Sequence, residues 1–219
     1  MASYKTRTQS IVIAGTSFEI TSLKDKSQFY DPEGEAEKIG ISSAMWPIFG
    51  LVWPSSVVLA KIINGFDLGN KRILEVGCGI AVASIVAASK SADVTASDYH
   101  PFTETFLTKN VDANKIAPIK YFHGDWRYPI TGEGKFDLIV GSDLLYEAMH
   151  AEQLATFIHC HLSQDGIVIL VDPGRRTANK IKKSMAVLGF KCLLEIIDNE
   201  GFIKKGGGFK KYQFSRESQ

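Results

Sequence analysis

The sequence predicts an α/β doubly wound fold, a three-layer sandwich around a seven-stranded, mostly parallel sheet with one antiparallel strand. Three observations predict it. Apolar runs of β type recur at Arg72–Val76, Asp93–Ala96, Ile119–Phe122, Phe136–Val140, Ile167–Val171, Phe190–Ile197 and Phe209–Phe214. Helix-like stretches lie between most of them, at Ala81–Ser89, Phe102–Asn114, Glu152–Leu162 and Ala178–Leu188. Strands alternating with helices of this length build right-handed crossovers and a parallel sheet. Several of the strands are nearly all apolar, as expected where helices cover both faces. The last two are joined through Gly206, Gly207 and Gly208 with no helix between them, so they form a hairpin and introduce the antiparallel strand.

Ahead of this pattern, residues 11–20 read as a strand, a tight turn near Gly15-Thr16 and a second short strand. In residues 28–42, Asp31, Glu33, Glu35 and Glu37 crowd around Pro32 and Gly34. That segment reads as a solvated loop, or as a lid over a site. From Trp46 to Ile63 the chain turns apolar, and a buried helix is expected to start near Pro54, where a proline costs little. The expected division is residues 1–43 as an extension with hairpin and acidic loop, then residues 44–219 as the main domain.

Composition narrows the function classes. Of 219 residues, 25 are Lys or Arg and 24 are Asp or Glu, for a net charge of +1. That balance gives no blanket attraction to nucleic acid or an anionic membrane, and neither is expected as a partner. Cys78, Cys160 and Cys192 form no C-x-x-C pair, so a disulfide framework and a zinc ribbon both fit poorly and a reducing cytoplasm is expected. No apolar segment is read as long enough for a leader or a membrane span. His159 and His161 fall in a helical stretch two residues apart, so they point about 160° from one another and cannot share an ion.

The chemistry concentrates at strand ends, where doubly wound folds bind ligands. The first strand runs into Glu75-Val76-Gly77-Cys78-Gly79-Ile80-Ala81, a glycine turn that brings backbone close to a ligand at a helix N-terminus. The nicotinamide fingerprint requires a further glycine where Val82 stands, and Glu75 would repel a pyrophosphate. A carboxylate there suits a ligand carrying positive charge. Asp98 ends the second strand, placed to accept from both hydroxyls of a ribose. Asp125, followed by Trp126, comes after the third strand, where it can accept from an adenine amino group. The fourth ends Ser142-Asp143-Leu144-Leu145-Tyr146. Acids at four consecutive strand ends describe a pocket for adenosine joined to a cationic, amino-acid-like group.

Glu75, Gly77, Gly79, Ala81, Asp98, Asp125 and the Asp143 strand together resemble the seven-β-strand (class I) S-adenosylmethionine-dependent methyltransferases, a Rossmann-like family. Within it, the chain resembles the protein-lysine branch that includes the enzymes acting on the electron-transfer flavoprotein β subunit. Five features carry this narrower likeness: Trp53-Pro54-Ser55-Ser56, Asn110 with Asn114, Asp125-Trp126, Asp143-x-x-Tyr146, and Asp172-Pro173-Gly174-Arg175. The resemblance implies S-adenosylmethionine as cofactor, held by Trp53, Glu75, Gly77, Gly79, Asp98, Asp125, Trp126 and Ser142. Glu75 would lie beside the methionine ammonium, and Ala81 would replace the third loop glycine while leaving room for the cofactor. It also implies a protein substrate presenting a lysine, met by Asp143 and Tyr146 as catalytic residues. Arg175 and Arg176 stand as substrate contacts or as solvated helix-entry residues.

Three alternatives follow from the same residues. A small-molecule N- or O-methyltransferase would use the same scaffold with a closed acceptor mouth lined by residues 28–50. A non-catalytic cofactor-binding module would not need the Asp143/Tyr146 pair, and a nicotinamide dehydrogenase is opposed by Val82 and Glu75. Lys204, Lys205, Lys210 and Lys211 flank the C-terminal hairpin as a charged edge that discourages aggregation or as a docking strip for an acidic partner.

Overall fold

The computed structural model describes residues 4–129, 132–145, 150–175, 177–198 and 208–216. The chain opens with a hairpin of β1 (Thr6–Ile13) and β2 (Thr16–Leu23). Its turn is Ala14-Gly15, both at positive φ (47° and 86°), the backbone that matches the twist of a two-residue hairpin. Each strand is longer than its apolar core suggests. The added residues of β1 are Thr6, Arg7, Thr8, Gln9 and Ser10, which pair as strand while carrying no hydrophobic signal.

There follow a short helix α1 (Glu35–Lys38), a 3-10 turn (Trp46–Gly50) and α2 (Pro54–Gly65). The remaining elements are β3 (Arg72–Val76), α3 (Val82–Ser89), β4 (Asp93–Asp98), α4 (Thr103–Ala113), β5 (Lys120–His123) and β6 (Phe136–Ser142). After them come α5 (His150–His161), β7 (Leu162–Asp172), α6 (Ala178–Val187), β8 (Phe190–Ile197) and β9 (Phe209–Arg216). The sheet order is β5-β4-β3-β6-β7-β9-β8. Strands β5 to β7 pair in parallel, and β9 lies antiparallel to both β7 and β8. The expected antiparallel strand is therefore β9, inserted between its two neighbours.

The sequence pattern starts β7 at Ile167, yet the ladder extends back to Leu162, which pairs with Phe136 across an irregularity. The intervening Ser163, Gln164 and Asp165 sit at the open end of the sheet. They fall within the irregularity between the Leu162 and Ile167 pairs, and being polar they leave no apolar run to mark the strand.

Helices α2 and α3 pack with the hairpin on one face, together with Leu138, Val140, Ile169 and Val171 of the sheet. The opposite face takes α5 and α6 with Leu74, Val76, Ile139, Val168 and Leu170. Alternate strand residues thus feed opposite cores, the period-two rule of a doubly covered sheet. The hairpin buries Ile11, Ile13, Phe18, Ile20 and Leu23 in the same core as α2.

The stretch Trp46–Gly65 corrects the sequence reading of apolar segments. It spans 20 residues at a mean hydropathy of 1.5, long and apolar enough to cross a membrane by length and composition. Here it is the 3-10 turn and α2, with Val57, Val58, Leu59, Ala60 and Ile63 buried between α3 and the sheet. Burial on several sides of a central helix accounts for its hydropathy.

Candidate active site

The strand order reverses at β3: the chain steps outward through β4 and β5, then returns to place β6 on the other side of β3, parallel to it. Above that switch point opens a cleft of about 710 Å³, within the range of small-molecule sites. Its floor is the turn from β3 into α3. Gly77 and Gly79 adopt φ of 57° and 54°, the left-handed region that glycine enters without strain. At Gly79 a Cβ would also stand 2.7 Å from the Phe49 carbonyl oxygen, so the turn and the 3-10 segment interlock. Ala81 likewise sits at φ 59° but is fully buried against Leu107 and Val111. It does not line the cleft, so its small side chain serves packing rather than room for a ligand.

Asp98, at the end of β4, is held from both sides. One carboxylate oxygen accepts from the Gly79 N–H (2.8 Å) and the other from the His100 N–H (2.9 Å). Burial pushes this carboxyl up, and the two N–H donors oppose that. Asp125 also lines the cleft, where Arg127 binds both of its oxygens (Nε at 2.9 and 3.0 Å, Nη2 at 2.6 Å). The Arg127 contact holds the Asp125 carboxyl below its ordinary value. Trp126 faces the floor beside Gly77, and Ser142 lies at the end of β6. The Trp53 indole donates to the Ile48 carbonyl (2.9 Å), which fixes its ring in the wall.

Glu75 departs from expectation. It does not line the cleft: it is 2% exposed, and its Oε2 accepts from the backbone N–H (2.7 Å) and the hydroxyl (2.5 Å) of Ser84. Burial pushes its carboxyl up to about 7 despite those donors. An acid on a strand end can turn either way, and here it turns under the loop to the first turn of α3, where free N–H groups await an acceptor. The placement beside a methionine ammonium is therefore corrected to a support of the glycine turn.

Asp143 follows Ser142 at φ 56°, an uncommon backbone for a residue with a Cβ, and its N–H donates to the Val171 carbonyl (2.9 Å). Its Oδ1 accepts from Arg175 Nε (2.7 Å) and lies 2.5 Å from Arg175 Nη2. Both residues line the cleft. Tyr146 and Arg176 lie outside the described residues, as do Gly206, Gly207, Lys204 and Lys205.

Sequence reasoning raised residues 28–50 only as a lid or as the mouth of a small-molecule alternative, and singled out none of the side chains that form the wall. Ile39, Ile41, Met45, Ile48 and Phe49 all line the cleft, and the Tyr99 hydroxyl donates to the Ile39 carbonyl (2.7 Å). Asp31 caps α1 through the Ala36 and Glu37 N–H groups (3.2 and 3.0 Å). The acidic residues themselves stay outside the cleft, with Glu33, Glu35 and Glu37 exposed, and the wall is formed by the apolar residues that follow them. His100 was also missed: it is 4% exposed, stacks on Phe49 (3.8 Å between centroids, 13°) and lines the cleft. Its place two residues after Asp98 was the available signal. Among the described residues no group of three or more His, Cys, Asp or Glu is arranged to hold a metal ion.

A family model described as lysine methyltransferase matches residues 40–185. The chain belongs to the lysine methyltransferase family. Among relatives, it is 33% identical over 132 residues to the protein N-lysine methyltransferase METTL21A of Danio rerio, covering 56% of this chain and 60% of that protein. It is 28% identical to the electron transfer flavoprotein beta subunit lysine methyltransferase of Rattus norvegicus (59% of this chain, 51% of that one). It is also 28% identical to the histidine protein methyltransferase 1 homolog of Dictyostelium discoideum (67% and 52%). The matches thus span between about half and 60% of each relative's length. The ribosomal protein L11 methylase of Lactobacillus delbrueckii superposes with a TM-score of 0.62 at 24% identity, covering 77% of this chain and 81% of that one, which establishes a shared fold. As a lysine methyltransferase family member, the chain carries the family match from the apolar wall after the acidic stretch into α6.

Proposed function

We propose that the protein transfers a methyl group from S-adenosylmethionine to a lysine side chain of a protein. The observation that carries this reading is the convergence of Gly77, Gly79, Asp98, Asp125 and Asp143 on one cleft in a chain of this family. S-adenosylmethionine is the cofactor, and the cleft has the donor set it needs. Asp98 is pre-oriented by two N–H groups and keeps lone pairs for ribose hydroxyls. Asp125 accepts from an adenine amino group beside Arg127, and the backbone of the Gly77–Gly79 turn approaches the methionine end. Two tryptophans, Trp53 and Trp126, exclude water from that end.

When bound, the cofactor supplies a methyl on a sulfonium, which an amine takes by direct displacement, so positioning carries most of the catalysis. A lysine ammonium must first lose its proton, at a cost of about 4–5 kcal/mol at pH 7. Asp143 stands at the acceptor end of the cleft and orients the amine. Tyr146, carried over from the family pattern, offers its hydroxyl or ring face to the methylammonium. Three free thiols support a cytoplasmic setting.

The relatives' names include acceptors other than lysine, so the test must read the residue modified. The protein is incubated with tritiated S-adenosylmethionine and a cell extract, and labelled proteins are hydrolysed for amino-acid analysis. Label in Nε-methylated lysine supports the proposal. Label confined to methylhistidine, methylarginine or small molecules would overturn it.

A further inference from the structure

The guanidinium of Arg175 already occupies the carboxylate assigned above to the acceptor amine. Both of its contacts go to one oxygen, Asp143 Oδ1, at 2.7 and 2.5 Å. Neither residue arrives there by chance of a flexible loop. Asp143 is held at its positive φ by the hydrogen bond to Val171 on β7. Arg175 leaves a turn clamped by Asp172, whose Oδ1 accepts from the Gly174 and Arg175 N–H groups (2.7 and 2.6 Å). Asp172 itself is 1% exposed, so the turn is anchored in the core. The two ends of the pair differ in exposure, with the Asp143 side chain at 11% and that of Arg175 at 38%. The carboxylate is fixed and sheltered, while the arginine is long and open to water.

We propose that Arg175 is a resident competitor for the acceptor's cation, a specificity-determining residue that an incoming lysine ammonium displaces from Asp143. The inference rests on the lysine-methyltransferase reading of the cleft. Its physical logic is charge balance. An unpaired, sheltered carboxylate would bind any cation of the right size and would hold a lysine firmly as ammonium, the form that cannot attack. A guanidinium on the same oxygen keeps the site near neutral. A pair whose guanidinium is open to water exchanges more readily than a fully buried one, and Arg175, at 38% exposed, has solvent to move into. Only an acceptor that places its amine beside Asp143 by other contacts then competes well, which favours a protein-bound lysine over free cations.

The test uses n-butylammonium as the probe, a mimic of the lysine head, titrated into the full chain saturated with S-adenosylhomocysteine. Binding is followed by NMR through the Arg175 Nε–H signal in isotope-labelled protein and through the probe's own line widths. In the wild type, the Nε–H signal is expected to shift as the probe replaces the guanidinium. Arg175→Gln should bind the probe about fivefold more tightly or better, as expected on removing a partly exposed competing charge, and Asp143→Asn should abolish the gain. Far-UV circular dichroism and thermal unfolding of Arg175→Gln read whether the variant folds, which separates displacement from a fold defect. Equal or weaker probe binding in Arg175→Gln, or an Nε–H signal that stays fixed while the probe binds, would overturn the inference. Failure of the wild type to bind S-adenosylhomocysteine would instead overturn the reading on which it rests. Should Arg175→Gln not fold, the wild-type Nε–H titration decides alone.

Discussion

The side-chain amide of Asn110 pairs with the backbone of Thr21 as a neighbouring strand would. Its Oδ1 accepts from the Thr21 N–H (2.7 Å) and its Nδ2 donates to the Thr21 carbonyl (3.1 Å). One helical turn later, Asn114 repeats the arrangement on Glu19 (2.9 and 2.8 Å). Residues spaced i and i+4 share a helix face, and residues two apart share one side of a strand, so α4 can read the edge of β2. Asn110 is fully buried, and truncating it leaves two strand groups without partners. Asn110→Ala is expected to cost about 2–3 kcal/mol, and Asn114→Ala less because its site is wet. Urea unfolding measures the loss, and hydrogen exchange should show the Thr21 amide losing protection first.

Asp98 joins the glycine turn to the start of α4 through Gly79 and His100. Asp98→Asn keeps the shape but removes the charge that strengthens every bond the carboxylate accepts. Affinity for S-adenosylhomocysteine should fall about 10- to 100-fold, the equivalent of one or two charge-assisted hydrogen bonds. Calorimetric titration reads it directly, and an unchanged affinity would remove Asp98 from the ribose site.

Glu75 makes stability depend on pH in an unusual direction. Burial raises its folded value to about 7 from an ordinary 4.5, so between those values the folded state binds more protons than the unfolded chain. Its contribution is fully present below about pH 4.5 and is lost as pH rises through 7, worth about 3 kcal/mol in all. Glu75→Gln should therefore be the more stable protein at pH 8, with the gap closing towards pH 5. Denaturant midpoints across that range check the sign.

His100 acts in the opposite sense. Burial lowers its value to about 3 from 6.5, and its Nδ1 accepts from the Phe102 N–H (3.2 Å), a bond the doubly protonated ring cannot accept. Its contribution is fully present above pH 6.5 and is lost as pH falls towards 3. The ring should stay neutral from pH 8 down to pH 5. An NMR titration of the His100 ring protons with a midpoint inside that window would contradict the packing.

Gly79→Ala should damage the cleft from behind. A Cβ at φ 54° is strained, and the Phe49 carbonyl stands 2.7 Å from its position. The expected cost is about 1–3 kcal/mol for the backbone, with weaker S-adenosylhomocysteine binding as the 3-10 wall is pushed away. Thermal unfolding and titration on the same preparation separate the two effects.

Much of this was legible along the chain. The β-type runs marked every strand of the sheet within a few residues, and Asp98, Asp125, Ser142 and Asp143 do come together on one cleft with Gly77 and Gly79. The errors share a cause. Glu75 stands on the same kind of strand end as Asp98, but its side chain turns to Ser84, and no local pattern distinguishes the two directions. The acidic stretch from Asp31 to Glu37 is largely the exposed loop expected, with Glu33, Glu35 and Glu37 at the surface; what no local pattern marked is the Tyr99–Ile39 contact, across 60 positions.

What the sequence by itself determined is the order of elements, the parallel sheet and the chemical kind of each strand end, since periodicity and composition are local and their energies add along the chain. Only the tertiary structure decided which strand-end acids line the cleft, that Asn110 and Asn114 hold the hairpin, and that Arg175 sits on Asp143. The deciding contacts, Glu75 with Ser84, Arg175 with Asp143 and Asn114 with Glu19, join residues 9, 32 and 95 positions apart. They depend on where separate elements meet in space, which packing of the whole core settles and no stretch of sequence records.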